Sequence, residues 1–322
     1  MELYQLETFL AVAEEKSFSR AAQRLHRTQS AISQTISRLE EEVGEVLFDR
    51  SSRDGSLTDA GRLLIKYAEG LLNLRVEARD ALVELRQLHQ GKLVIAANEF
   101  TSLCLLPILN EFHRLHPTIK LQVQRALASQ ITNQVINHNV EFGILSFQPD
   151  DPALASAVFY RDELVFVVYP QHPLAKAKTV RIRDLGAESF VAHNVFSPYR
   201  VKVIEAFKSH KTALHMNVEL PTLESIKQFV AMGNGVALLP RIAVDAELKS
   251  GELVEVPVPE LSFERKMRIV SRAGGTLSHA GRAFLAVCQS LAASSGGRYL
   301  YKTDRVVNAG GDKKTRAAKA ES

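Results

Sequence analysis

Cysteine is scarce: the 322 residues hold two, Cys104 and Cys288. That number excludes a disulfide framework and supplies no zinc ligand set, and their separation in sequence argues against a switching pair. Buried, reduced thiols are expected, since a free cysteine usually behaves as a small hydrophobe. Long apolar runs are also missing. None approaches the roughly 20 residues that a membrane span requires, and the opening MELYQLETFLAVAEE is acidic and amphipathic where a secretory signal is basic and then apolar. A cytoplasmic chain with no membrane partner is the expectation. Catalytic signatures are absent as well: there is no nucleophile elbow, Walker loop or His-Glu-x-x-His. The Gly233-x-Gly235 pair lacks the further glycine and helix of a dinucleotide fingerprint and reads as a helix-to-strand turn. His113 with His116, and His210 with His215, lack the neighbouring cysteines or carboxylates that complete a metal set, so surface or capping roles are expected. No cofactor, no metal and no enzymatic activity are expected.

A net charge of +4 suggests a polyanion partner, but its distribution does not. Seven Lys or Arg against three acids lie after Gly296 and account for the whole excess, so the body of the chain is balanced. Residues 296–322, rich in Gly, Ala and Lys, read as a basic, disordered tail. One local feature remains. Between Lys16 and Leu39 stand Lys16, Arg20, Arg24, Arg27 and Arg38 with no acid among them.

That stretch contains RTQSAISQTISRLE, residues 27–40. Ile32, Ile36 and Leu39 recur at helical spacing and Val43 extends the line, so this face seeks a core. The opposite face carries Ser30, Ser33, Gln34, Ser37 and Arg38, short hydrogen-bonding groups where a solvated surface usually has Glu and Lys. Upstream, Leu3, Leu6, Phe9, Leu10 and Ala13 mark a first helix. A short second helix, SRAAQRLH, opens with Ser19 as its expected N-cap, and Ala21 and Ala22 permit close packing. Thr28 caps the third. Two helices separated by a tight turn form a helix-turn-helix, whose second helix enters the major groove. Gln reads adenine, Arg prefers guanine, and Ser or Thr can bond several bases. An ordinary three-helix domain with a polar surface fits the pattern equally well.

The following residues favour the first reading. LFDRSSRDGSLT holds Asp-Gly between two short segments, a hairpin signal, with Arg50 and Arg53 on its approach, as in a wing that reaches phosphates or the minor groove. Thr58 then caps a long helix through residue 90. Leu64, Leu71, Ala78 and Leu85 sit seven apart, as do Tyr67, Leu74, Ala81 and Leu88, which makes a coiled-coil seam for a second chain. The alternative is that this face packs on its own domain. From Lys92 onward, strand and helix patterns alternate, which predicts α/β layers. About 200 residues suit two lobes with a ligand cleft better than one body.

FSRAAQRLHRTQSAISQTISRLEEEVGEVLFDRSSRDGSLTDAG resembles the N-terminal signature of LysR-type transcriptional regulators. HPLA at 172–175, LESIKQFVAMGNGVALLP at 223–240 and the strand-helix order are similar to that family's effector-binding domain, so the resemblance covers about residues 1–293. It implies an α/β chain with an N-terminal winged helix-turn-helix (1–58), a long linker helix that pairs subunits (59–90), and a C-terminal two-lobed periplasmic-binding-protein-like α/β domain (91–295). The implied partners are double-stranded promoter DNA, a small-molecule effector, a second copy of the chain assembled as a dimer of dimers, and RNA polymerase. The family's groove-facing positions fall on Gln29, Ser30, Ser33, Gln34 and Ser37, beside Thr28 and Arg38, with Arg53 as the wing contact. Two departures stand out: Ser30 where many relatives have Pro, and Glu141-Phe142 where they show Asp and a smaller residue.

In a cleft between α/β lobes, helix N-termini attract anions. Thr101 and Ser102 open one expected helix, Ser129 the next, and Ser197 before Pro198 a third in the second lobe. The expectation is a small anion bridging Thr101, Ser102 and Ser129 to Asn194, Phe196 and Ser197, although each of these could simply cap a helix. A solute-binding protein with no DNA function is the rival reading, and the winged head argues against it.

Overall fold

The structure, a computed structural model of the full chain, describes residues 1–49, 56–86, 91–195, 197–294 and 297–304, with backbone alone at 80, 81 and 83–86. Two compact units emerge: residues 1–91 with 133–141, and residues 92–132 with 142–322.

The first unit starts with α1 (Leu3–Glu15), α2 (Phe18–Arg24) and α3 (Gln29–Val43). Leu6, Phe9 and Val12 of α1 meet Ala21 and Ala22 of α2 and Ile32, Ile36 and Leu39 of α3 in one core. The short α2 is held by that packing rather than by its own helix propensity. Its cap is Ser17, whose Oγ accepts the Arg20 N–H at 3.3 Å. Ser19 lies one turn too far in, because Phe18 already belongs to the helix. Thr28 caps α3 as expected, accepting the Ala31 N–H at 3.2 Å. At the other end Gly44 takes φ +77°, the left-handed conformation that closes many helices.

After α3 the backbone turns under the buried Glu40, whose carboxylate accepts the amides of Leu47 at 2.8 Å and Phe48 at 3.3 Å. A carboxylate taking two backbone N–H groups fixes where the next segment starts. Phe48 then pairs antiparallel with Leu57, and Asp49 N–H donates to the Ser56 carbonyl at 2.8 Å, forming the base of a hairpin. Arg50 and Arg53, expected near its tip, lie outside the described residues. Thr58 caps α4 (Asp59–Arg86) through the Gly61 N–H at 3.0 Å.

The second unit begins with β1 (Lys92–Ala97), α5 (Glu99–Ser102), α6 (Leu106–Leu115), β2 (Lys120–Arg125), the part of α7 (Ala128–Ile136) up to Thr132, and β3 (Phe142–Leu145). Next come β4 (Leu154–Val168), β5 (Ser189–His193), α8 (Pro198–Ser209), β6 (His215–Leu220), α9 (Leu223–Ala231) and β7 (Ala237–Pro240). It ends with α10 (Arg241–Ser250), β8 (Val254–Glu255), β9 (Glu264–Arg272), α11 (His279–Ser294) and β10 (Tyr299–Thr303). The main sheet runs β10-β4-β9-β3-β1-β2, with β2-β1-β3 parallel and the others antiparallel. Strand β4 serves two lobes. Leu154 to Glu163 pair with β9, whereas Leu164 to Val168 pair with β7 and β8. Each lobe has its own apolar core, one around Phe112, Phe142 and Phe284, the other around Phe166, Phe190 and Phe207. Gly235, at φ +126°, lets Val236 N–H reach the Ser189 carbonyl, confirming the helix-to-strand turn.

Two expectations change. The helix expected to open at Thr101 and Ser102 is broken into α5, a 3₁₀ turn and α6; α10 follows β7 directly, with no loop between them. The tail expected from residue 296 is ordered through Asp304, because Tyr299 and Tyr301 pack on the first core and β10 completes the edge of β4. Tyr299 also donates its hydroxyl to the Cys104 carbonyl at 3.1 Å.

Two stability outcomes follow. A methyl added at Gly61 meets the Leu47 carbonyl oxygen at 2.3 Å, so Gly61→Ala is expected to destabilise the head by about 1–3 kcal/mol in a urea titration followed by circular dichroism. Ending the chain after Ser294 exposes the β4 edge and is expected to cost about 2 kcal/mol, which calorimetry should register as a fall of roughly 4–8 °C in the melting transition of the second unit.

Candidate nucleic-acid interface and effector cleft

The two faces of α3 separate as the sequence pattern requires. Ile32, Ile36 and Leu39 are buried, while Gln29, Ser30, Gln34, Ser37 and Arg38 are exposed and Ser33 is half-buried. Thr28 is committed to capping, and its Oγ1 lies 3.0 Å from Ser30 Oγ, so this pair holds the start of the helix rather than projecting freely. The basic stretch is less positive in the fold than in the sequence. Arg24 pairs with Glu14 and with Glu15 at 3.3 Å, and Arg20 bonds the Glu15 carbonyl. Two acids at the end of α1 therefore offset two arginines of α2, whereas Arg27 and Arg38 stay exposed.

Along α4 the expected seam is partly redistributed. Leu64 turns inward and packs on the head core beside Ala68 and Leu72. Tyr67, Leu71, Leu74 and Ala78 are exposed, and so are Leu63 and Leu82, which the heptad count passed over. The exposed line is Leu63, Tyr67, Leu71, Leu74, Ala78 and Leu82, at spacings of three and four, because the head claims the neighbouring stripe. The side chains of Ala81 and Leu85, and all of Leu88, lie outside the described residues.

In the second unit, a cavity of about 780 Å³ opens between the lobes. Its first-lobe wall comes from Asn98, Glu99 and Arg125 and the start of α7; its second-lobe wall from His193, Ser197, Tyr199 and Arg200; and Arg265 of β9 lies at its base. Glu99 bridges the walls. Its carboxylate accepts the Leu223 N–H at 2.7 Å at the start of α9 and lies 3.4 Å from His193 Nε2 and 4.0 Å from Arg125. Tyr199 donates its hydroxyl across to the Ser146 carbonyl at 3.3 Å. Arg200 is engaged by Glu219 and by the His193 carbonyl at 3.3 Å.

Deepest of these is the Arg265–Asp162 pair, at 3.0 Å with side chains 4 % and 1 % exposed. Burial without full solvation pushes the Arg265 pKa down and the Asp162 pKa up. The Arg265 guanidinium carbon stands 5.3 Å from the Tyr199 ring centroid, a cation–π contact that fixes its plane. Its Nε has no hydrogen-bond partner.

The expected effector residues do not all converge. Thr101 is buried and closes a capping box with Asn98, its amide donating to Asn98 Oδ1 at 2.9 Å. Ser102 donates to the Glu99 carbonyl at 3.0 Å. Neither lines the cavity, because the helix begins two residues earlier than the sequence suggested. Ser129 and Ser197 do line it. Ser197 also caps α8, accepting the Arg200 N–H at 3.2 Å. Asn194 is exposed and outside the lining, and Phe196 lies outside the described residues. Helix α7 differs from its neighbours: the residue before it is Leu127, whose side chain has no acceptor for the first amides, and Ala128, Ser129 and Gln130 line the cavity. Both cysteine thiols are buried, which pushes their pKa values up and makes them poor nucleophiles. No group of three metal-binding side chains occurs among the described residues, and no described helix is long and apolar enough to cross a membrane.

Residues 3–62 match the family described as "Bacterial regulatory helix-turn-helix protein, lysR family", and residues 86–293 match "LysR substrate binding domain". A "Probable RuBisCO transcriptional regulator" from Cyanophora paradoxa is 32% identical over 290 residues, 88% of this chain and 89% of the relative. Among solved structures, the LysR family transcriptional regulator CbnR superposes with a TM-score of 0.69 at 19% identity, covering 90% of this chain and 99% of its own. The regulatory domain of Synechocystis CcmR, solved in complex with 2-PG, gives a TM-score of 0.58 at 26% identity, covering 63% of this chain and 97% of its own. The matched head excludes the rival of a solute-binding protein without DNA function. The two family matches, over residues 3–62 and 86–293, and a relative 32% identical over 88% of this chain place it in the LysR family of transcriptional regulators.

Proposed function

We propose that the protein binds promoter DNA as a homodimer, or a dimer of such dimers, and that a small organic anion in the second-unit cleft alters that binding. The observation that carries this reading is a cleft whose buried Arg265 Nε lacks an acceptor, in a chain whose α3 exposes Ser and Gln opposite a buried stripe. On the DNA side, Gln29, Ser30, Ser33, Gln34 and Ser37 read base edges, Arg38 contacts the backbone, and Arg50 and Arg53 belong to the wing. The line from Leu63 to Leu82 pairs two copies so that their reader helices address half-sites about one duplex turn apart. The protein acts by binding, in the cytoplasm, and carries out no reaction of its own.

The ligand chemistry to test first comes from the neighbours. A relative named for RuBisCO and a regulatory domain holding 2-PG both suggest a carbon-metabolism promoter and a small phosphorylated or carboxylated effector. An anion acts on promoter binding only through unequal affinity for two arrangements of the protein. Ser129 and Ser197 are the two originally expected contacts that remain in this site.

Two measurements check the reading. Selection of genomic fragments bound by the full chain should return an interrupted palindrome, and Gln34→Ala should cost about 1–3 kcal/mol on that site while relaxing one base position; equal weakening on all fragments would assign Gln34 to phosphate contact. Replacing Leu74 with Asp in the exposed line should give monomers in sedimentation and weaken operator binding by about 100-fold or more, since the second half-site is no longer tethered.

A further inference from the structure

The cleft contains three arginines, and they are not equivalent. Arg125 is largely exposed and lies near Glu99, and Arg200 is occupied by Glu219 and the His193 carbonyl. Arg265 is buried and underused. Of its donors, Nη1 reaches Asp162 Oδ2 at 3.0 Å, and Nε reaches nothing. A guanidinium offers five N–H groups and has no acceptor of its own. Leaving one of them buried and unpaired is costly, and the cost recurs in every unliganded molecule.

The surroundings show why no internal group supplies the missing acceptor. Asp162 faces Arg265 directly across β4 and β9, since the two are register partners. Its second oxygen, Oδ1, takes the Ile242 N–H at 3.4 Å at the start of α10. Glu99, a carboxylate of the same cavity, is spent on Leu223 N–H and His193. The Tyr199 ring over the guanidinium blocks rotation toward other partners. Nε shares its edge with Nη2, the side turned away from Nη1 and Asp162, and that edge is the one with which arginine grips two oxygens of a carboxylate or phosphoryl group. Ser129 and the start of α7 line the same cavity, adding amide donors for further oxygens.

We infer that Arg265 is the residue that recognises the effector's charge: it takes two oxygens of an oxyanion on its Nε edge while Asp162 and Tyr199 hold the guanidinium in place. This inference deepens the cleft reading above and depends on it. It assigns specificity to one strand residue at the lobe junction, with the helix ends as secondary donors. It also accounts for a buried charge that the architecture alone does not need. A hydrophobic pair at these register positions would pack at least as well, but it would leave an anion nothing to bind.

The test uses the full-length protein with 2-PG, inorganic phosphate and acetate as probes, followed by calorimetric titration and thermal shift. Arg265→Lys keeps a cation beside Asp162 but has no Nε edge; it is expected to fold and to lose about 10- to 100-fold in affinity for the best-binding probe. Because a lone buried Asp162 threatens folding, the double variant Asp162→Asn with Arg265→Gln removes both charges, and it is expected to fold without anion response. Ala128→Asp, at the start of α7, tests the cleft separately by placing a negative charge in it. If Ala128→Asp abolishes binding while Arg265→Lys binds as the wild type does, the assignment of Arg265 is overturned and the cleft reading stands. If neither variant changes affinity, or the wild type responds to none of the probes, both are overturned. A wild-type preference for 2-PG and phosphate over acetate identifies the oxyanion as phosphoryl; the reverse preference identifies it as carboxylate.

Discussion

Strand β4 is the constraint on which the second unit depends. It is one uninterrupted strand of 15 residues, yet its first part belongs to one sheet neighbourhood and its last part to another. A continuous backbone shared by two lobes fixes the floor of the space between them, so the cavity follows from topology rather than from loop conformation. The change of partner falls between Glu163 and Leu164, immediately after the buried Asp162. A buried carboxylate at that point has to be matched by a cation, and Arg265, its register partner on β9, is 3.0 Å away. The chemistry at the base of the cleft is therefore coupled to the chain path.

The head applies a related solution at smaller scale. Glu40 ends the buried stripe of α3 with a carboxylate aimed at backbone amides, and this brings Leu47 and Phe48 under the helix. Leu47 in turn approaches α4 so closely that Gly61 is required where the two meet. The hairpin base, the start of α4 and the helix α3 are thus bound into one core. The exposed polar face of α3 can consist largely of Ser and Gln because this core holds the helix. Small side chains on this face suit the proposed groove contact, since they let a helix come closer to a duplex than Lys or Glu would.

Much of this was legible in the sequence where the signal is local. Thr28, Thr58 and Ser197 cap the helices they were expected to cap, because a side-chain acceptor two or three residues before a free amide is a short-range event. The same logic failed where two candidates adjoin: Ser17 and not Ser19 caps α2, and Asn98 and not Thr101 opens α5. Heptad counting found the α4 line but not its phase, since the inward pull on Leu64 comes from Ala68 and Leu72 packing on a head whose placement the pattern does not encode. Arg265 was not legible at all. In ERKMRIVSR it looks like one of four basic residues on an alternating strand, and only the crossing with β4 distinguishes it from Arg272, from the more exposed Lys266 and from Arg268, which Asp304 holds.

The same contrast decides between the cleft's helix ends. Four helices start in this region, and three of them are closed from within: α5 by Asn98, α8 by Ser197, and α9 by Thr222 together with Glu99. A helix end whose amides already have acceptors offers an incoming anion only its dipole, and that is weak beside a direct hydrogen bond. Helix α7 follows Leu127, whose side chain can supply no such cap, and the buried Arg265 Nε is a side-chain donor of this lining without a partner. The proposed preference for anions rests on this uneven satisfaction of donors, which a summed charge over the lining, where Glu99 offsets one of the arginines, does not reveal.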